Sequence, residues 1–176
     1  MLALEDDRLG PDDPAWKFIP EWKDHPQKSK ITIRQLATHT SGLADSQPKN
    51  KGGWQQTFWQ RNDPPDDPFT ISRDQTPVLF APGTDYQYSN PGMGMLAYAV
   101  TASYKGSEYS DIRTLLQERI FEHIGLEEDD WRIGYGKTYQ VDGLDLVANW
   151  GGAAFTPRAA ARVGRLMLHK GNWQGK

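Results

Sequence analysis

Cysteine is missing altogether from this 176-residue sequence, which excludes disulfides, thiolate zinc sites and a cysteine nucleophile. No apolar run approaches the roughly 20 residues that a membrane-crossing helix needs. Charge of one sign is missing too: 20 basic and 23 acidic residues are interspersed and leave a net charge of −3. A chain so balanced carries no basic field to draw nucleic acid or an anionic membrane. The four histidines, His25, His39, His123 and His169, show no paired spacing for a metal. The acidic run over 127–130 reads as a solvated turn. Neither a metal nor a cofactor is expected. The first residues lack the basic start and apolar stretch of a secretory leader, which bears on export only if Met1 is the true start, so the compartment stays open.

What is present suffices for a packed body: 37% hydrophobic residues, with seven tryptophans and seven tyrosines spread along the chain. Residues 1–9 read as the end of an amphipathic helix, with Met1, Leu2, Leu4 and Leu9 apolar and Gly10-Pro11 as the stop. Thr32 caps a short helix in which Gln35 can reach back, Ile33, Leu36 and Ala37 line one face, and Gly42 ends the segment. Residues 43–80 form a long polar stretch with Gly52-Gly53, Pro64-Pro65 and Pro68, interrupted by Trp54, Phe58 and Trp59 with helical turns around them. After Pro82-Gly83, Asn90 caps and Pro91 opens a buried helix running to about Tyr104. A second helix over 110–123 should pack on it, and residues 131–147 read as weak strands or turns. Thr156 caps the last helix, Pro157 opens it, and Ala160, Val163, Leu166 and Met167 form its apolar face.

The chemistry centres on Tyr88-Ser89-Asn90. Two residues apart at a turn that opens a buried helix, a phenol and an amide can point into one space, the first exchanging a proton and the second holding a substrate carbonyl or amide. A plainer reading of the same residues is a helix-capping asparagine beside a packed tyrosine.

The segment Ile31-Thr32-Ile33-Arg34-Gln35-Leu36-Ala37-Thr38-His39-Thr40-Ser41-Gly42-Leu43, then Phe80-Ala81-Pro82-Gly83 leading to Tyr88-Ser89-Asn90-Pro91-Gly92, resembles the serine β-lactamase-related family of class C lactamases, penicillin-binding DD-peptidases and related esterases. Pro20-Glu21-Trp22 and the Gly151-Gly152 pair before the last helix agree in order and spacing. The resemblance implies an α+β, β-lactamase/transpeptidase-like fold, with the chain covering mainly the helical lobe and little of the antiparallel sheet. It also implies an acyl-enzyme mechanism with three motifs: serine-x-x-lysine, tyrosine-x-asparagine and a late lysine- or histidine-threonine-glycine strand. Only the second maps here, giving Tyr88 as the catalytic residue and Asn90 as the substrate-binding one. The nucleophile is then expected upstream of residues 1–176 and the third motif beyond Lys176, so that the chain is a partial domain, inert alone. The implied partner is a small-molecule ester, lactam or peptide.

Several lookalikes compete. Ser46-Gln47-Pro48-Lys49 satisfies serine-x-x-lysine literally but follows the His39-Thr40-Ser41-Gly42 segment that the family's nucleophile precedes. Lys137-Thr138-Tyr139 and Trp150-Gly151-Gly152 imitate the third motif but lie too early or precede a helix. Ser41 has no base in local reach, and His39 reads as a donor at a helix C-terminus. Two non-catalytic readings remain: a scaffold or binding module on the same lobe, and a sugar-binding module stacking on Trp54, Phe58 and Trp59.

Overall fold

A computed structural model describes residues 1–47, 52–109 and 111–175. In chain order the helices are α1 (Leu2–Glu5), α2 (Ile33–Ala37), α3 (Gly53–Gln60), α4 (Pro68–Asp74), α5 (Asn90–Ser103) and α6 (Ile112–Leu116). Four short strands follow, β1 (Trp131–Arg132), β2 (Thr138–Val141), β3 (Leu144–Val147) and β4 (Ala154–Phe155), and then α7 (Pro157–Leu168). The sheet content is two antiparallel pairs, β1 with β4 and β2 with β3, the latter in the register Thr138↔Val147 to Val141↔Leu144. Asp142 and Gly143 turn that hairpin at φ 54° and 72°, the left-handed pair that matches the twist of adjoining strands.

Helix α5 is the axis of the body. Met95, Ala97, Tyr98 and Ala99 are buried on it, within a cluster that includes Trp22, Ile31, Leu36, Leu43, Phe69 and Leu146. Its glycines let neighbours come close: a Cβ on Gly94 would stand 3.1 Å from the Trp150 ring. A smaller cluster, Phe121, Ile124, Leu126 and Ala159, gathers Trp131, Val163 and Leu166 around the inner face of α7.

Local end signals are realised at several helices. Thr32 Oγ1 accepts the Gln35 N–H while Gln35 Oε1 accepts the Thr32 N–H, a complete capping box. Thr156 Oγ1 accepts the Ala159 N–H at 3.2 Å and Pro157 opens α7. At α5 the cap is Ser89 rather than Asn90: Ser89 has extended backbone and its Oγ accepts the Gly92 N–H at 2.9 Å, leaving Asn90 as the first helical residue.

Other expectations are corrected by packing. The helix expected over 110–123 is the five-residue α6, capped by Asp111, followed by a wider π turn over Gln117–Phe121; Ser110 lies outside the described residues. The long polar stretch contains α3 and α4, the latter capped by Asp67 Oδ1 on the N–H groups of Phe69 and Thr70. At the start, α1 is one turn whose buried residue is Ala3, while Met1 and Leu4 face outward. Ala37 and Ala160 are exposed, and Met167 stands 75% exposed on α7, because the clusters reach only part of each apolar stripe.

Candidate active site at the start of helix α5

The site rests on a loop that the fold pins from below. After α2 the chain reverses through His39, at φ 59°, and not at Gly42. Leu43 bridges Val78, the Leu79 N–H reaches Gly42 O at 2.8 Å, and the Ala44 N–H reaches Pro77 O at 3.0 Å. Gly42 has φ 81°, and a Cβ there would stand 2.4 Å from Phe80 O, so no larger residue fits without moving backbone.

This loop meets the start of α5 through three residues. Ser89 Oγ donates to Ala44 O at 3.0 Å. Asp45 Oδ1 accepts both the backbone N–H and the side-chain Nδ2–H of Asn90, each at 2.9 Å, while Asp45 Oδ2 accepts Gln47 Nε2–H at 2.7 Å. His39 Nδ1 accepts the Ser89 N–H at 3.3 Å, its carbonyl accepts the Gln87 N–H at 2.9 Å, and its ring lies 4.6 Å from the Tyr88 ring. His39 is therefore an acceptor and a packing partner here, not the helix-end donor that its position in the sequence indicated.

Between these supports, Tyr88 OH donates to Asn90 Oδ1 at 3.4 Å, a long bond at the outer limit of the geometry. Tyr88 is 47% exposed and Asn90 8%. The structure thus brings the two sequence-selected residues together at the surface, the phenol free to meet a ligand and the amide held from behind. A hydroxyl so placed can give or take a proton at a carbonyl centre, and the amide can hold a polar group of the same molecule.

The lookalikes sit elsewhere. Ser46 is fully buried, its Oγ has no partner among the described residues, and its carbonyl accepts Trp59 Nε1–H at 2.5 Å; Lys49 lies outside the described residues. Buried Ser41 Oγ accepts the Leu43 N–H at 3.3 Å. Lys137 Nζ donates to Arg61 O at 2.8 Å, and burial pushes the neighbouring Tyr139 phenol up to about 12. Trp150 packs between Phe58 and Phe69, while Gly151 and Gly152 lie against Tyr135. Phe58 is fully buried and offers no face for a sugar to stack on. Among the described residues, no group of three His, Asp or Glu is placed to hold a metal, and no helix is long and apolar enough to cross a membrane.

A family model, Beta-lactamase, matches residues 1–166. The chain belongs to the Beta-lactamase family. Its β-lactamase/transpeptidase-like fold is shared with solved structures of low sequence identity. One is a penicillin binding protein from Bacillus halodurans, at 17% identity over 97% of this chain and 56% of that one, TM-score 0.67. A D-stereospecific amidohydrolase from Streptomyces sp. matches at 18% over 95% and 56%, TM-score 0.66. The D-amino acid amidase from Ochrobactrum anthropi SV3 matches at 21% over 97% and 51%, TM-score 0.65. This Beta-lactamase-family chain spans about half the length of the solved structures it matches. No curated protein matches it.

Asp45 is the site residue that the sequence did not disclose. No local pattern marks it, because its partner Asn90 is 45 positions away. The sequence could show only that Asp45 follows the segment Ser41-Gly42-Leu43-Ala44.

Proposed function

We propose that this chain is the tyrosine- and asparagine-bearing part of a serine hydrolase that cleaves lactam, peptide or ester carbonyls through an acyl-enzyme. The observation that carries this reading is the pairing of an exposed Tyr88 hydroxyl with the Asn90 carbonyl, 3.4 Å apart on a rigidly held turn. Family membership supports it. So do the similar structures of a D-stereospecific amidohydrolase and of an amidase complexed with L-phenylalanine amide, both named for amide substrates.

In the proposed reaction, a serine hydroxyl supplied by sequence preceding Met1 attacks the substrate carbonyl carbon. Tyr88, coupled to a lysine of the same upstream motif, takes the serine proton and returns it to the leaving nitrogen or oxygen as the carbonyl bond to it breaks. Asn90 orients the substrate. Backbone N–H groups near the serine and on a later strand stabilise the oxyanion. Water then hydrolyses the acyl-enzyme. Residues 1–176 alone are inert in this reading, since it places both the nucleophile and the oxyanion donors outside them.

The test is single-turnover acylation of the full-length protein by a chromogenic cephalosporin and a p-nitrophenyl ester. Tyr88→Phe keeps the ring and should slow acylation about 10²–10⁴-fold. A folded variant within twofold of wild type would overturn the assignment. The chain by itself should turn over neither substrate, and turnover abolished by Ser46→Ala would place the nucleophile inside it.

A further inference from the structure

We infer that Asp45 is a positioning residue that decides which end of the Asn90 amide faces the substrate; the inference rests on the proposed role of Asn90. A carboxylate only accepts hydrogen bonds, whereas an amide has one accepting and one donating end. Against Asp45 Oδ1, Asn90 must therefore present its nitrogen, and its carbonyl must point away, toward the Tyr88 hydroxyl. The same Oδ1 also takes the Asn90 backbone N–H, so backbone and side chain are tied to one atom. Gln47 donates to the other carboxylate oxygen at 2.7 Å, leaving Oδ1 to Asn90.

A merely structural role for Asp45, as acceptor for an unpaired N–H at the helix start, would need the backbone bond alone. Ser89 already caps α5 through the Gly92 N–H, so the helix end does not depend on Asp45 to form. The side-chain bond is what points to positioning.

A double-mutant cycle in the full-length protein separates the two, read as single-turnover acylation by the p-nitrophenyl ester and the chromogenic cephalosporin. Asp45→Ala and Asn90→Ala should each slow acylation about tenfold or more, as loss of reactive geometry does. The double variant should be no slower than Asn90→Ala alone, because Asp45 acts only through Asn90. Asp45→Asn keeps an accepting oxygen and should restore the rate to within about threefold of wild type. If Asp45→Ala does not fold, Asp45→Ser, too short to reach Asn90, takes its place in the cycle. Multiplying effects of the two single variants would overturn the inference, as would a wild-type rate in folded Asp45→Ala while Asn90→Ala is slow. A wild-type rate in Asn90→Ala would instead remove the proposed role of Asn90 itself.

Discussion

The two ends of helix α5 present tyrosines in opposite circumstances. At the C-terminal end, roughly 20 Å from the other at 1.5 Å per residue, Tyr104 OH donates to Asp6 at 2.6 Å, and nearer the middle Tyr98 OH donates to Asp142 at 2.6 Å. Both rings are buried, and both carboxylates are themselves paired, Asp6 with Arg119 and Asp142 with Arg73. Burial, then the Asp6 carboxylate, pushes the Tyr104 phenol up to about 12; burial, then the Asp142 carboxylate, pushes Tyr98 up. At the N-terminal end, Tyr88 is exposed and donates only a long bond to a neutral amide. A phenol locked onto a carboxylate keeps its proton, since its anion would face another negative charge. The open end of the helix is therefore the one that suits the proposed proton transfer, and the closed end is where the fold is tied.

The largest contrast is expected between Tyr88→Phe and Tyr98→Phe in the full-length protein. The first should cost roughly 3–5 kcal/mol of activation barrier and leave the thermal midpoint nearly unchanged. Tyr98→Phe should leave acylation within about twofold and cost about 1.5–3 kcal/mol of stability, the worth of a hydrogen bond to a charged group. Equal loss of rate in both would dissolve the distinction between the two ends.

Gly42→Ala comes next. With φ 81° and Phe80 O in the way, an added methyl should destabilise by about 1–3 kcal/mol and also slow acylation, because the displaced loop carries His39 and Asp45. A stable variant of normal rate would show that the loop does not hold the open end.

Lys28 sharpens the comparison from the tied side. It is buried, its Nζ donates to Arg73 O at 2.7 Å, and burial lowers its ammonium to about 8. A folded-state value below the unfolded one means that the folded protein binds fewer protons between about pH 8 and 10.5. Wild-type stability relative to Lys28→Met should therefore be flat below pH 8 and climb toward pH 10.5 as the buried charge is relieved. Thermal midpoints of the two across that range provide the check, and a pH-independent gap would count against burial of the charge.

The smallest effect is at Asp6. Hydrogen bonds from Arg119 and Tyr104 hold its carboxyl at about 2 against an ordinary 3.8. Its contribution to stability is present above the unfolded value and lost as pH falls through the folded one. The stability difference between wild type and Asp6→Asn should close between about pH 4 and 2. Acid melts that show a constant difference would break the link between Asp6 and the tied end.

The capping box at Thr32 and Gln35 and the Thr156-Pro157 start of α7 were legible in the sequence because each depends on contacts within one helical turn, and the burial of α5 because its run of small and apolar residues presents no polar face, although its packing partners are distant. Membership of the Beta-lactamase family and the α+β class were legible for another reason: ordered motifs along the chain stand for one fold. The end of α5 shows where local reading stops. Ser89 and Asn90 are both good caps; the structure gives the cap to Ser89, and it engages the Asn90 side chain with Asp45, a partner 45 residues earlier that no local pattern announces. Likewise, Phe58 looked like a surface platform until Trp150 packed over it. The three tyrosines near α5 are alike as residues. Only through-space neighbours, carboxylates at two of them and His39 with open solvent at the third, make two into ties and leave one accessible. Those neighbours come from distant parts of the chain, so tertiary packing alone decides which phenol is free.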